Sequence, residues 1–309
     1  MLPDRGVIAL MGSGELTSTM VEVHKALVGR YGGSARAVFI DTPAGVQLNA
    51  DQISQKAAAY FQTRVQQTLQ IASFKSAEDA PETAFDDMRK ADLLLVGPGS
   101  PTYALGQWQQ SPVPDIMLQR VRAGGCLVAA SAAALTVGRL TLPVYEIYKV
   151  GLPVHWVNGL DLLGRLGMDL AVIPHWNNAE GGNHDTRYCF MGEKRMDRLI
   201  EALPDTTRIL GLDEHTALII DFSMSHATVQ GIGGVTLKDS RQEMVFAKGD
   251  GIPLSLLAGE SFSEEPVKAD RARKAAPSAA PCERDEDPFA AIHASAARFR
   301  QAIDAGHDE

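Results

Sequence analysis

The sequence is poor in cysteine and has none of the usual cysteine motifs. Only three of its 309 residues are cysteine, Cys126, Cys189 and Cys282, and no pair has CxxC spacing. An odd number without that spacing argues against both a disulfide framework and a cysteine zinc site. We therefore expect reduced thiols. A cytoplasmic location is expected for a different reason, because the sequence has neither a run long enough to span a membrane nor a recognisable signal peptide. Cys126, at the start of an apolar run, is interpreted as a small core residue.

Basic residues and long apolar runs are also scarce. The chain has 29 Lys and Arg against 38 Asp and Glu, a formal net charge of -9. Nucleic acids and anionic membranes are bound by basic surfaces, so neither partner is expected. No run reaches the length of a spanning helix, and residues 1–14 lack the features of a signal peptide. A small or peptide-like ligand fits this composition better.

The chain does contain a regular alternation of short apolar runs and helical patterns. With 45% hydrophobic and 22% charged residues, it has the composition of a globular protein. Predicted strands are at residues 7–11, 37–40, 91–96, 127–130 and 170–173. Strands that alternate with helices form a parallel sheet with right-handed crossovers. We predict a doubly wound α/β fold, with a mostly parallel sheet flanked by helices and antiparallel edge strands in 228–246.

The composition changes near residue 260. Residues 1–260 are predicted to form one α/β domain, in which 138–167 is interpreted as helix plus loop. Residues 261–286, rich in Ala, Pro and charged residues, are predicted to be a flexible linker. Residues 287–305 have the three- and four-residue apolar spacing of an amphipathic helix. One such helix is not stable alone, so it docks on its own domain, on a second subunit in a homodimer, or on another protein.

Ser131 is the first candidate for chemistry. It follows a buried apolar strand within a run of alanines, with Ala129 and Ala133 two positions to either side. A nucleophile elbow needs small residues at those positions because strand, turn and helix pack closely there. The same turn directs the Ala132 N–H, at a helix N-terminus, towards the anion formed on an attacked carbonyl. Serine among alanines also occurs at ordinary helix starts.

Two other strand ends supply partners for Ser131. Gly99 or Ser100, in a glycine-rich turn, offers a second oxyanion N–H, although such turns are common. His175 follows another strand, at the edge where Ser131 is expected, and is the candidate base. Asp213 and Glu214 precede a further strand, and one of these carboxylates is placed to orient the imidazole.

A metal site is the weaker interpretation of the same residues. His175, His184, Asp185 and His215 have suitable donor atoms. No HExxH or comparable spacing accompanies them, so no metal is predicted.

The order of these motifs resembles the S51 peptidase family, which includes dipeptidase E and cyanophycinase and has the class I glutamine amidotransferase-like fold. The similarity runs from near residue 6 to residue 255, and its most specific part is the stretch 211–218, Gly-Leu-Asp-Glu-His-Thr-Ala-Leu. Cyanophycinase-type sequences have a near-identical Asp-Glu-x-Thr-Ala stretch.

The resemblance implies a serine hydrolase of small peptides or aspartyl-linked polymers that uses no metal or cofactor. Ser131 is then the nucleophile, His175 the base and Glu214 the third member of the triad, while the N–H groups of Gly99 and Ala132 hold the oxyanion. A basic side chain is expected to bind a substrate carboxylate, and Arg187 and Arg195 are candidates, with Asn177 as a further substrate-binding residue.

The sequence departs from the family pattern at two places. The usual elbow is Ser-Ala-Gly-Ala, and here Ala133 replaces the glycine. In the family pattern an arginine-rich helix follows the histidine closely, whereas here residues 177–190 lie between the histidine and that helix. Ala133 and the additional C-terminal helix also fit a catalytically silent binding or scaffold protein that keeps the fold, which is the alternative to a serine hydrolase.

Overall fold

The computed structural model describes residues 2–32, 35–79 and 81–261, and most of their strands belong to two sheets. The strands, in chain order, are β1 Val7–Met11, β2 Ala37–Ile40, β3 Leu69–Ala72, β4 Leu93–Val96, β5 Cys126–Ala130, β6 Leu140–Thr141, β7 Val157–Asn158, β8 Leu170–Ile173, β9 Arg208–Leu212, β10 Thr216–Asp221, β11 His226–Gly231, β12 Val235–Lys238, β13 Glu243–Phe246 and β14 Gly251–Pro253.

Helices connect most of these strands. They are α1 Val21–Gly29, α2 Ala50–Tyr60, α3 Glu82–Lys90, α4 Pro101–Trp108, α5 Val113–Arg122, α6 Ala132–Thr136, α7 Val144–Tyr148, α8 Arg187–Phe190, α9 Glu193–Glu201 and α10 Leu254–Leu257. A π-helical turn, Phe61–Val65, extends α2. Within the described part of the chain, no helix combines the length and the apolar character that crossing a membrane requires.

The larger sheet has eight strands in the order β14-β11-β10-β1-β5-β4-β2-β3. The pairs from β1 to β3 are parallel, and β10, β11 and β14 add antiparallel pairs on the other side of β1. Both faces of β1 are covered: Ile8 and Leu10 belong to one hydrophobic cluster, and Val7, Ala9 and Met11 to another. Burial on both faces explains why these strands are continuous apolar runs. The α/β class with a mostly parallel sheet is confirmed.

A second sheet of four strands, β13-β12-β9-β8, was not predicted. The strand at 170–173 was expected in the main sheet, but β8 pairs in parallel with β9 of this smaller sheet. The predicted edge strands of 228–246 also divide between the sheets. Gly231 has a φ of 97° at the end of β11, and beyond it β12 and β13 join the smaller sheet. Residues 138–167 contain α7 and a short two-stranded sheet formed by β6 and β7.

The two sheets share one hydrophobic cluster. It includes Leu127 and Ala129 of the larger sheet together with Val172, Leu210 and Leu212 of the smaller one. The carboxyl ends of β5, β8 and β9 are therefore fixed in one packed unit. The predicted linker beyond Ser261 and the predicted helix 287–305 lie outside the described residues.

Candidate active site

Ser131 occupies a strained turn between β5 and α6. Its φ is 51° and its ψ is −116°, a combination that side chains other than glycine rarely adopt. The Ser131 N–H donates to the carbonyl of Met11 at 3.0 Å, which fixes the turn to the end of β1. A sharp strand–turn–helix junction of this kind presents the side chain of its central residue at the edge of the sheet.

The residues around the turn are small and buried. Ala129 and Ala133 are each 1% exposed. The elbow therefore forms with Ala133 in the position where the family pattern has glycine. Ala132 is the first residue of α6, and the first N–H groups of a helix have no partner within it. Its amide is thus suited to donate to an anionic ligand at the turn.

His175 reaches Ser131 from the smaller sheet. It follows β8 and Pro174, and its Nε2 lies 2.9 Å from Ser131 Oγ. Its backbone N–H donates to the Gly12 carbonyl at 3.3 Å, and its φ is 51°. The imidazole is therefore held between the ends of strands from both sheets.

Glu214 completes a chain of contacts behind the ring. It lies in the loop from β9 to β10, and its Oε1 is 2.9 Å from His175 Nδ1. An ionised carboxylate only accepts hydrogen bonds, so the proton is assigned to Nδ1, and Nε2 is left to accept from the Ser131 hydroxyl. Burial raises the pKa of Glu214, but hydrogen bonds from His175 and Asn178 outweigh it, and the pKa is lowered.

Asp213 has a different environment from its neighbour. Its Oδ2 accepts from the Gly234 N–H at 2.8 Å, before β12. Burial raises the pKa of Asp213. Of the two carboxylates left open by the sequence, Glu214 is the one that the structure brings to the histidine.

The glycine-rich turn after β4 contains both candidate N–H donors for an oxyanion, and their environments differ. Gly99 has a φ of 148°, and a Cβ at this position would lie 1.9 Å from the Pro43 carbonyl oxygen. The N–H of Ser100 already donates to that carbonyl at 2.8 Å. The carbonyl of Gly99 accepts from the Tyr145 hydroxyl at 3.3 Å. Gly99 is therefore the better of the two oxyanion candidates.

The predicted substrate-binding residues lie in the segment after His175. Arg187 forms ion pairs with Asp185 at 2.8 Å and Glu193 at 3.3 Å. Arg195 is exposed on α9. No hydrogen bond among the described residues joins either arginine to Ser131, His175 or Glu214. Their role in substrate binding stays a prediction.

Asn177 and Asn178 hold Glu214. Asn177 Oδ1 accepts from the backbone N–H of Glu214 at 2.8 Å, and Asn178 Nδ2 donates to its Oε1 at 3.0 Å. Asn177 was predicted only as a substrate-binding residue, and Asn178 was not predicted at all. Asparagines in a glycine-containing run are typical of loops, so no pattern in the sequence indicated this contact.

A left-handed turn fastens the backbone of His175. Tyr188, Cys189 and Phe190 have φ values of 59°, 56° and 67°. The N–H of Tyr188 donates to the Trp176 carbonyl at 2.9 Å, and that of Cys189 donates to the His175 carbonyl at 3.1 Å. This turn thus provides two of the bonds that fix the histidine segment.

Metal binding and thiol chemistry are the two other kinds of chemistry that these side chains suggest. In the described residues, no group of three or more His, Cys, Asp or Glu side chains is placed to hold a metal ion. His215 instead has Nδ1 3.1 Å from Thr19 Oγ1. Burial raises the pKa of both Cys126 and Cys189 to about 12, so their thiols are protonated at neutral pH. This agrees with Cys126 as a core residue.

The fold and the residues at its strand ends define a hydrolase-like α/β protein, and comparisons give the family. The family model for peptidase family S51 matches residues 8–227. The chain therefore belongs to this family and is a serine peptidase by class.

Solved structures have the same fold. One is a peptidase from an acI-B1 Actinobacterium, with a TM-score of 0.66, 21% identity, and coverage of 81% of this chain and 97% of that chain. Another is a putative peptidase E protein from Listeria monocytogenes EGD-e, with a TM-score of 0.51, 15% identity, and coverage of 74% of this chain and 99% of that chain. No curated protein sequence matches the chain.

Proposed function

We propose that the protein hydrolyses a peptide or amide bond in a small peptide-like substrate, with Ser131, His175 and Glu214 as its catalytic triad and without a metal or cofactor. The observation that carries this proposal is the unbroken series of two 2.9 Å contacts, from Ser131 Oγ to His175 Nε2 and from His175 Nδ1 to Glu214 Oε1. A hydroxyl, an imidazole and a carboxylate in series are the arrangement that this chemistry uses, and this similarity supports the proposal.

In this mechanism, Ser131 Oγ attacks the substrate carbonyl carbon while His175 Nε2 takes the hydroxyl proton. The negative charge that develops on the carbonyl oxygen is stabilised by the N–H groups of Gly99 and Ala132. The intermediate collapses, the C–N bond breaks, and His175 gives its proton to the leaving amine. Water then hydrolyses the acyl-enzyme by the same proton transfers. Glu214 stabilises the imidazolium in both halves.

The finer features of the substrate are part of the same proposal. A dipeptidase- or cyanophycinase-like preference would use a basic side chain to hold a substrate carboxylate, and Arg187 and Arg195, with Asn177, are the candidates. Arg187 would have to exchange its pairing with Asp185 for a substrate carboxylate. We further propose a cytoplasmic location, in line with the reduced cysteines, and a homodimer that involves the C-terminal segment.

The decisive experiment combines covalent labelling with turnover. A fluorophosphonate probe is expected to label the wild-type protein at Ser131, and Ser131→Ala is expected to abolish labelling and all hydrolysis of a dipeptide panel. Full activity of Ser131→Ala on a confirmed substrate would show that the mechanism is wrong. Absence of labelling together with no rate above background would favour the silent-scaffold alternative.

A further inference from the structure

The carboxylate of Glu214 accepts a second hydrogen bond besides the one from His175. Glu214 Oε1 also accepts the Nδ2–H of Asn178 at 3.0 Å, and Asn178 is only 1% exposed. A buried amide aimed at an ionised carboxylate makes a charge-assisted hydrogen bond, which is stronger and more directional than a neutral one. The shared oxygen is thus fixed from two sides.

Asn178 is itself held at both ends. Its side-chain Oδ1 accepts from the Glu180 N–H at 3.2 Å, and its backbone N–H donates to the His175 carbonyl at 3.2 Å. The Oδ1 contact sets the amide so that its nitrogen faces Glu214. The backbone contact places the asparagine one turn from the histidine that Glu214 serves. Base and carboxylate are therefore positioned by one short segment.

We propose that Asn178 is a positioning residue for the Ser131–His175–Glu214 triad, which holds the Glu214 carboxylate in the orientation that His175 Nδ1 requires. This inference rests on the proposed function, since it assigns a task to a buried residue whose hydrogen bonds do not reach Ser131. Without the amide, the carboxylate turns away from the ring in part of the molecules, and the imidazolium formed during attack loses its stabilising partner.

The pH dependence of the pair follows from its neighbours. Ser131 and Asn178 contact the pair directly, and the side chains of Asp213, His215 and Cys189 are the further titratable groups near Glu214. The Asn178 hydrogen bond favours the ionised carboxylate, and its loss makes that carboxylate more basic. A carboxylate with a higher pKa takes up its proton at a higher pH, and once protonated it no longer stabilises the imidazolium. When the amide is removed, the acid limb of the pH–rate profile for labelling of Ser131 therefore moves to higher pH.

The test compares Asn178→Leu with Thr186→Val in the full-length protein. Thr186 Oγ1 donates to the Asn178 carbonyl at 3.4 Å and accepts from the Gly181 N–H at 3.1 Å, so it fixes the same loop without contacting Glu214. The readout is the rate constant for fluorophosphonate labelling of Ser131 as a function of pH. Asn178→Leu is expected to lower this rate about tenfold, the order for one hydrogen bond to a charged group, and to move the acid limb upwards. Thr186→Val is expected to leave the pH of the acid limb unchanged.

An unchanged rate and acid limb in Asn178→Leu, or an equal shift in Thr186→Val, would overturn the proposal. Asn178→Ala carries the same expectation and replaces the leucine variant if that one does not fold.

Failure of the positioning role and failure of the proposed function give different results. If wild-type Ser131 is labelled and Asn178→Leu behaves as wild type, only the positioning role fails. If wild-type Ser131 is not labelled, the far-downfield NMR resonance of the His175 Nδ1 proton tests the role of Asn178 instead. This resonance is expected to shift or disappear in Asn178→Leu and to persist in Thr186→Val, and its persistence in both variants overturns the role.

Discussion

Several residues around the proposed nucleophile adopt a backbone conformation that is unfavourable for them. Ser131, His175 and His215 have φ values of 51°, 51° and 54°. Each such residue costs about 1–3 kcal/mol, and the conformation persists only when surrounding structure imposes it. The backbone N–H groups of Ser131 and His175 are restrained by hydrogen bonds to the carbonyls of Met11 and Gly12, and that of His215 by a bond to Ser13 Oγ at 3.2 Å. The strain at Ser131 and His175 thus lies at two side chains that contact each other.

At the residue scale, Glu214→Gln is the most informative change. An amide at this position no longer stabilises the charged imidazole, and it favours the wrong histidine tautomer. We expect the labelling rate of Ser131 and the turnover of a confirmed substrate to fall by roughly a thousandfold to ten-thousandfold. Parallel measurement of Asp213→Asn, which changes the neighbouring carboxylate, is the control. A larger loss in the Asp213 variant would reverse the assignment of the triad acid.

The same variant also changes the pH dependence of stability. Because the pKa of Glu214 is lowered in the folded protein, its ionised form stabilises the fold above the ordinary glutamate pKa. That contribution is lost as the pH falls through the folded-state pKa. Denaturant unfolding of Glu214→Gln is therefore expected to show a weaker decline in stability towards acid pH than the wild type does.

At the element scale, the loop from β4 to α4 can be tested with two glycines. Gly99→Ala places a Cβ 1.9 Å from the Pro43 carbonyl oxygen at a φ of 148°, so the loop must move. The displaced N–H no longer meets the oxyanion, and we expect kcat to fall by about a hundredfold to a thousandfold. Gly106→Ala on α4 is the matched control, because a Cβ there has nothing within 4 Å.

The control has its own expected direction. Alanine is about 1 kcal/mol more favourable than glycine inside a helix, so Gly106→Ala is expected to raise stability and leave kcat unchanged. Equal kcat in the two alanine variants would exclude Gly99 from the oxyanion site.

The elements that the sequence predicts well are those with a local signal. The strands β1, β2 and β5 are apolar runs bounded by turn residues, and their predicted and observed positions agree to within one residue. The juxtaposition of Ser131 and His175 was expected from strand ends that share one edge. The contact exists, but His175 comes from the smaller sheet.

What the sequence did not predict depends on tertiary pairing. β8 is buried on both faces, and such a run looks the same whichever sheet it joins. β3 has an exposed Gln70 and a half-buried Ile71, which weakens its apolar signal, and it was missed. Asn178 was missed because an asparagine in a loop gains its role only from the carboxylate that the fold brings to it.

At the scale of the whole molecule, the buried apolar side chains of the described residues form three hydrophobic clusters. The clusters are built from residues between Val7 and Leu257. A chain that ends at Ser261 is therefore expected to unfold cooperatively and to be labelled at Ser131 at the full-length rate. Thermal unfolding and labelling measure both properties. Loss of cooperative unfolding in the shortened chain would assign an essential structural role to residues 262–309.

The shortened chain also tests the proposed homodimer. If the C-terminal segment joins two copies, light scattering is expected to give a dimer mass for the full-length protein and a monomer mass for the chain ending at Ser261. Identical association states would move the interface to the domain itself.

Ser131 follows β5 of the larger sheet, His175 follows β8 of the smaller sheet, and Glu214 lies in the loop that links the two sheets. In the proposed mechanism, the reactivity of the serine therefore depends on both sheets together. A nascent or damaged chain in which the smaller sheet has come loose keeps an intact hydroxyl but has no base beside it.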